Sequence, residues 1–284
     1  MHFTGELFTY HLDDSSSIWK SLVAFESGPR DSGKTVVFIG GLGDGFNNVP
    51  FLFPLHQTLA SIDWSLTQVQ LSSTFNGYGT TNLRADAKEL DQLIDVLKQR
   101  GKKSIVLLGH STGSQDCYTH NKYGERSQDV LGYILQAPVS DREYFSKNLP
   151  NFQQSLELAT SMKKEGKGDE LLPRATFWAP ITADRFYSLS TKGGDDDVFS
   201  TDLTDQEILR LYDNVTRPIC WAYSEKDEFY ASSLNQNEVM QRFQKLCPAI
   251  KMTASIPNGS HAIIDPAAQI EFCKVVKDFI ISLE

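Results

Sequence analysis

Ser104-Ile105-Val106-Leu107-Leu108-Gly109-His110-Ser111-Thr112-Gly113-Ser114-Gln115-Asp116 is the segment that orders the rest of the chain. Ile105 to Leu108 is an unbroken β-branched and aliphatic run, the pattern of a strand buried on both faces. It runs straight into Gly109-His110-Ser111-Thr112-Gly113, a G-x-S-x-G, and then into residues able to form a helix. A serine on so sharp a strand-to-helix bend holds strained backbone, and the positions two before and two after it must be small for strand and helix to approach. Ser111 would then project its hydroxyl at the carboxyl edge of a sheet, with the Thr112 N–H at the start of the helix aimed at a developing oxyanion. The bland reading is a Gly-rich turn capped by a serine; the preceding strand weighs against it.

Upstream, Thr35 to Ile39 is a second fully apolar strand that enters Gly40-Gly41-Leu42-Gly43-Asp44-Gly45. A glycine-dense loop after an early strand is where the second oxyanion N–H is expected, and Leu42 is assigned to it, with Gly41, Asp44 and His110 around the substrate. A nucleotide-binding loop is the alternative. Neither G-x-x-x-x-G-K-[ST] nor G-x-G-x-x-G is present.

The remaining periodicities give a strand-and-helix alternation. Strands are expected at His2 to His11, Leu22 to Glu26, Ser65 to Leu71, Val130 to Leu135, Pro218 to Tyr223 and Ile250 to Ile256, the last with apolar residues at alternate positions. A polar turn is expected at Asp13 to Ser17. Pro50 to Ala60 has helical spacing with a proline start. Leu83, Ala87, Leu90, Ile94 and Leu97 mark an amphipathic helix stopped near Gly101, and Asp265-Pro266 opens a terminal helix. This is a doubly wound, mostly parallel α/β sheet in one domain, 1–284. From Val139 to about Asn214 the rhythm breaks into polar helical stretches, a turn at Glu165 to Gly168 and the aromatic segment Phe177-Trp178-Ala179-Pro180. An excursion of that length between two sheet strands is expected to be a helical cap over the site, residues 139–214.

A serine hydroxyl needs a base, and the base needs an acid to orient it. In this kind of sheet they follow in the order Ser, Asp or Glu, His, the last two on loops after late strands. Ser111, Asp227 and His261 have that order and placement. Glu225 and Glu228 compete with Asp227 on the same loop. His2, His11, His56 and His120 have no such setting.

Bulk composition narrows the classes. At 284 residues and 40% hydrophobic content the chain can bury a large core. A net charge of −9 with dispersed Lys and Arg gives no phosphate-tracking face, so nucleic acid is not an expected partner. No apolar run approaches a membrane span, and the first ten residues lack a basic region followed by an apolar one, so no membrane insertion and a cytoplasmic location are expected. The four cysteines lie far apart with no C-x-x-C, which fits reduced buried thiols; no metal and no cofactor are expected. Asp195-Asp196-Asp197 reads as a solvated loop more readily than as a metal site.

The extended elbow Gly109 to Asp116, the loop Ile39 to Gly45, Asn76-Gly77-Tyr78-Gly79 and Gly193-Gly194-Asp195-Asp196-Asp197 together resemble a family of fungal α/β-hydrolases, formerly of unknown function, that includes intracellular siderophore esterases. The resemblance implies an α/β-hydrolase fold and a cytoplasmic serine esterase that opens the ester links of fusarinine-type siderophores, its partner being that small-molecule ester or its iron complex. Asp195, Asp196 and Asp197 would then complement free amines on the ligand. Two rivals remain: another acyl hydrolase (lipid, thioester or peptide) on the same triad, and a non-catalytic ligand binder of the same fold.

Overall fold

The computed structural model of the chain describes residues 2–11 and 21–284. The turn expected at Asp13 to Ser17 lies outside the described residues. Among those described, eight strands form one sheet: β1 (Gly5–His11), β2 (Ser21–Ser27), β3 (Lys34–Ile39), β4 (Ser65–Val69), β5 (Ser104–His110), β6 (Gly132–Gln136), β7 (Ile219–Ser224) and β8 (Ile250–Ile256). Their spatial order is β1-β2-β4-β3-β5-β6-β7-β8. β2 runs antiparallel to both β1 and β4, and every other neighbouring pair is parallel.

The continuous apolar runs are explained by the helices on both faces. Along β5, Ile105 and Leu107 enter one core while Val106 and Leu108 enter the other; Val37 and Ile39 of β3, against Val36 and Phe38, divide in the same way. The first face is covered by α2 (Leu83–Gln99), α3 (Thr112–Tyr123) and α8 (Gln236–Leu246), the second by α1 (Leu52–Ala60) and α9 (Pro266–Leu283). Burial on both sides removes the period of two from the sequence of a strand. Pro50 does not begin α1: it stands in the turn before it, and Phe51 is the N-cap. Asp265 caps α9 as expected, accepting the Ala268 N–H, with Pro266 in the first turn.

The alternation read across Ile250 to Ile256 is interrupted. Ile219 pairs with Ile250 but Cys220 pairs with Met252, so Lys251 is an extra residue. The bulge turns Ile250 onto the first face, while Met252, Ala254 and Ile256 stay on the second.

Between β6 and β7 the chain makes four helices, α4 (Asp141–Asn148), α5 (Phe152–Lys164), α6 (Ala183–Ser190) and α7 (Asp205–Leu211). α4, α5 and α6 share a third apolar cluster that includes Phe145, Ala159, Phe177, Ile181, Phe186 and Leu189. The four cysteines are buried free thiols.

Candidate active site

One residue, Ser111, separates the end of β5 from the start of α3, and its backbone stands at φ 54°, ψ −122°. For a residue with a Cβ this costs on the order of 1–3 kcal/mol and persists only when its surroundings enforce it. The enforcing contacts are visible at the flanking glycines. A Cβ on Gly109 would lie 2.0 Å from the Gly113 carbonyl oxygen, and one on Gly113 would lie 2.4 Å from that of Ile39. Ser111 is half-buried and stands on the wall of a cavity of about 360 Å³.

The loop Gly40 to Gly45 closes against this bend. A Cβ on Gly41 would come within 2.8 Å of the Ser111 Cβ and within 3.3 Å of both the Asp44 carboxylate and the His110 ring. Asp44 tightens the loop, accepting the Gly41 N–H at 2.8 Å, and Asn48 donates to its other oxygen. Gly41, Leu42, Asp44 and His110 line the same cavity as Ser111. Thr112 is the first residue of α3, where a backbone N–H has no acceptor within its own helix.

From the far side, Asp227 and His261 arrive on the loops after β7 and β8. The His261 Nδ1 lies 2.8 Å and 2.9 Å from the two Asp227 carboxylate oxygens, and Asp227 also accepts the Phe229 N–H at 2.9 Å. Of the three acids left open by the sequence, Asp227 is the one on the ring. Glu228 accepts the His261 backbone N–H at 2.9 Å, and Glu225 faces Ser255 and Asn258. The His261 ring sits between those of Phe229 and His110, with centroid separations of 4.6 and 4.9 Å. A second histidine–aspartate contact, His120 Nε2 to Asp91 at 3.0 Å, lies beside Tyr133, with the His120 ring fully buried.

His110 is held neutral: burial, followed by the neighbouring charge of His261, pushes its pKa down to about 4. Asp141 on the cavity wall moves the other way, pushed up to about 7 by burial and then by Asp196. Tyr144, Phe145 and Trp178 of the insertion and Phe229 supply an aromatic wall. Of these, only the segment around Trp178 was marked in the sequence; Asp141, Tyr144 and Phe229 carried no local signal.

The acidic triplet does not line this cavity, and two of its three side chains are buried, which corrects the expectation of a solvated loop. Asp195 is exposed and lines a separate outer hollow. Asp196 and Asp197 are 3% exposed, Asp196 pairing with Arg185 and Asp197 with Arg142 at 2.9 Å. Both carboxylates turn inward because those guanidiniums are there to receive them. Among the described residues, no group of three or more His, Cys, Asp or Glu is placed to hold a metal ion, and no helix is long and apolar enough to cross a membrane.

Strand order, nucleophile-type bend and late-strand loops define the chain as an α/β-hydrolase. The solved structure titled "Siderophore hydrolase EstB from Aspergillus fumigatus" superposes with a TM-score of 0.80 at 23% identity, covering 99% of this chain and 98% of that one. The chain belongs to the family described as "Protein of unknown function (DUF1749)", whose profile matches residues 5–283. Relatives include the UPF0613 protein PB24D3.06c of Schizosaccharomyces pombe, 32% identical over 255 residues (82% of this chain, 79% of that protein). Another is the fusarinine C esterase sidJ of Aspergillus fumigatus, 27% identical over 309 aligned positions (86% of this chain, 87% of that protein). One of these relatives is thus named as an ester hydrolase.

Proposed function

We propose that the chain is a serine carboxylic-ester hydrolase whose substrates are fusarinine-type siderophore esters, opened inside the cell so that iron is released. The observation that carries this reading is His261, paired with Asp227 and lining the same cavity as a serine at positive φ. Asp227 holds the proton on Nδ1, which leaves the Nε2 lone pair to act as base. Ser111 Oγ bonds to the ester carbonyl carbon as its proton passes to Nε2. The Leu42 and Thr112 N–H groups stabilise the oxyanion, and the carbon–oxygen bond to the alcohol breaks as His261 returns the proton to it. Water then cleaves the acyl-Ser111 ester by the same route.

The names of the Aspergillus relatives support the substrate class. So does the cavity's acidic lining: Asp44 and Glu228 face it, with Asp141 half-protonated near neutral pH and no lysine or arginine among the described residues that line it. Carboxylates there suit a substrate carrying amines, and they replace the acidic triplet in that role. The insertion at 139–214 acts as the cap, supplying Tyr144, Phe145 and Trp178. That aromatic wall also supports a second reading, hydrolysis of other esters with apolar acyl groups on the same triad.

The test is incubation of the purified protein and its Ser111→Ala variant with iron-loaded and iron-free fusarinine, followed by mass spectrometry. Ester cleavage by the parent and none by the variant is expected. No cleavage of either form, with turnover of long-chain p-nitrophenyl esters, would replace the siderophore substrate with the second reading.

A further inference from the structure

Gln136, the last residue of β6, is fully buried, a polar side chain closing the run Tyr133-Ile134-Leu135. Its backbone carbonyl accepts the Ser111 N–H at 3.0 Å and the Ser114 hydroxyl at 3.2 Å. Its side-chain oxygen lies 2.5 Å from His110 Nδ1, and its amide nitrogen donates to the Ser224 hydroxyl at 3.3 Å and to the His261 carbonyl at 3.1 Å. The amide can be turned only this way round. Flipped, it would set its oxygen against the carbonyl oxygen of His261, acceptor on acceptor. A side-chain oxygen only accepts, so His110 Nδ1 must carry the proton.

These bonds converge on strained backbone. Ser111, Ala137 and Ile263 all have positive φ, at 54°, 53° and 50°. For β-branched Ile263 this is a rare conformation. Ala137 directly follows Gln136, and Ile263 stands two residues past His261. One side chain thus ties the end of β5, the end of β7 and the loop after β8, which carry the three residues assigned to the triad.

We infer that Gln136 is a positioning residue of the reaction: its amide holds the backbone of His261, and its carbonyl holds that of Ser111, so that base and nucleophile keep one relative placement. It touches no substrate and does not line the cavity. The inference rests on the triad reading above. It differs from a packing role in what it predicts, because misplacing a base by a fraction of an ångström slows chemistry without loosening substrate binding.

The experiment compares the wild type with Gln136→Met, which keeps length and burial but removes every side-chain bond. Active sites are counted with a fluorophosphonate, and kcat and KM are measured per labelled site on a p-nitrophenyl ester alongside thermal melting. The expected result is a cooperative melt, a kcat per site lower by about tenfold to a hundredfold and a KM within about twofold. A kcat per site within about twofold of wild type would overturn the inference, since a merely structural role changes the number of sites and not their rate. Gln136→Glu gives a second arm that survives a folding failure of the first. Its carboxyl loses both donors when ionised and regains one when protonated, so the ratio of its activity to wild type should rise as the pH falls. A ratio that does not change with pH would also overturn the inference. Absence of labelling at Ser111 in the wild type would instead remove the triad reading itself.

Discussion

Asp227 meets His261 Nδ1 with both carboxylate oxygens, at 2.8 and 2.9 Å, while one of those oxygens also takes the Phe229 N–H. The aspartate is held by a backbone N–H independently of the ring, so it selects the tautomer as well as the ring's orientation. Asp227→Asn presents an N–H to Nδ1, favours the opposite tautomer, and is expected to lower kcat by about 10⁴-fold. Ser111→Ala and His261→Ala should fall by a similar factor. Glu228→Gln keeps a side-chain oxygen for the His261 N–H, and Glu225→Gln touches only the turn, so each is expected to lose less than about tenfold. Steady-state kinetics of the five variants on one ester checks the assignment. A larger loss at Glu225 or Glu228 than at Asp227 would move the acid.

The Gly41–Ser111 approach gives a second test. The Cβ of an alanine at 41 would stand 2.8 Å from the Ser111 Cβ, closer than two carbons can pack, and the neighbouring Asp44 and His110 leave it no free direction. The loop must therefore withdraw and take the Leu42 N–H with it. Gly41→Ala is expected to lower kcat by about a hundredfold or more, the cost of displacing a reacting group by about an ångström, while melting as the parent does. Unchanged kcat would show that Leu42 is not an oxyanion donor.

The sequence carried the parts of the molecule whose physics is local. The run Ile105 to Leu108 is apolar at every position because the two faces of β5 feed two cores. The glycines at 109 and 113 are demanded by contacts of 2.0 and 2.4 Å within the bend. What sequence could not resolve depends on long-range placement. Glu225, Asp227 and Glu228 share one turn, and only the loop after β8 decides which of them the histidine meets. The bulge at Lys251 requires the register against β7. Asp196 and Asp197 look solvent-facing in a run of three acids until Arg185 and Arg142 from other elements are in place. Gln136 is an ordinary polar strand end until the three loops around it are assembled.

The acidic triplet yields a prediction of its own. The side chains of Asp196 and Arg185 are 1% and 3% exposed, and the Arg185 Nε also donates to the Tyr78 carbonyl at 3.0 Å. Asp196→Asn would leave a buried guanidinium without its main counter-charge, a change expected to cost about 3 kcal/mol of stability. Asp195→Asn, at an exposed position away from the cavity, should alter neither stability nor the KM for an amine-bearing ester. Chemical denaturation and steady-state kinetics on the two single variants separate these outcomes. A raised KM in Asp195→Asn would return the triplet to the substrate.

Behind the Ser111 bend, Asp86 of α2 and Asp116 of α3 are each 3% exposed, close enough for the charge of one to act on the other. Burial, reinforced by the charge of Glu89, pushes the Asp86 pKa from 3.8 up to about 7, and burial with the charge of Asp86 pushes Asp116 well above the usual carboxylate range. Arg185 opposes both shifts without reversing them. An acid whose pKa is raised in the folded state binds its proton more tightly there than in the unfolded chain. The stability it contributes is therefore fully present below about pH 4 and is lost as the pH rises through the folded value. For Asp86, a rise from 3.8 to about 7 corresponds to a loss of about 4 kcal/mol once the group is ionised. Asp86→Asn puts a permanently neutral amide where the carboxyl with the raised pKa stands. Its melting temperature is expected to fall less than that of wild type between pH 5 and pH 8, a window set by the Asp86 value of about 7. Calorimetric melts of wild type, Asp116→Asn and Asp86→Asn across that window check it. Parallel curves for all three would mean that neither carboxyl takes up a proton on folding in this window.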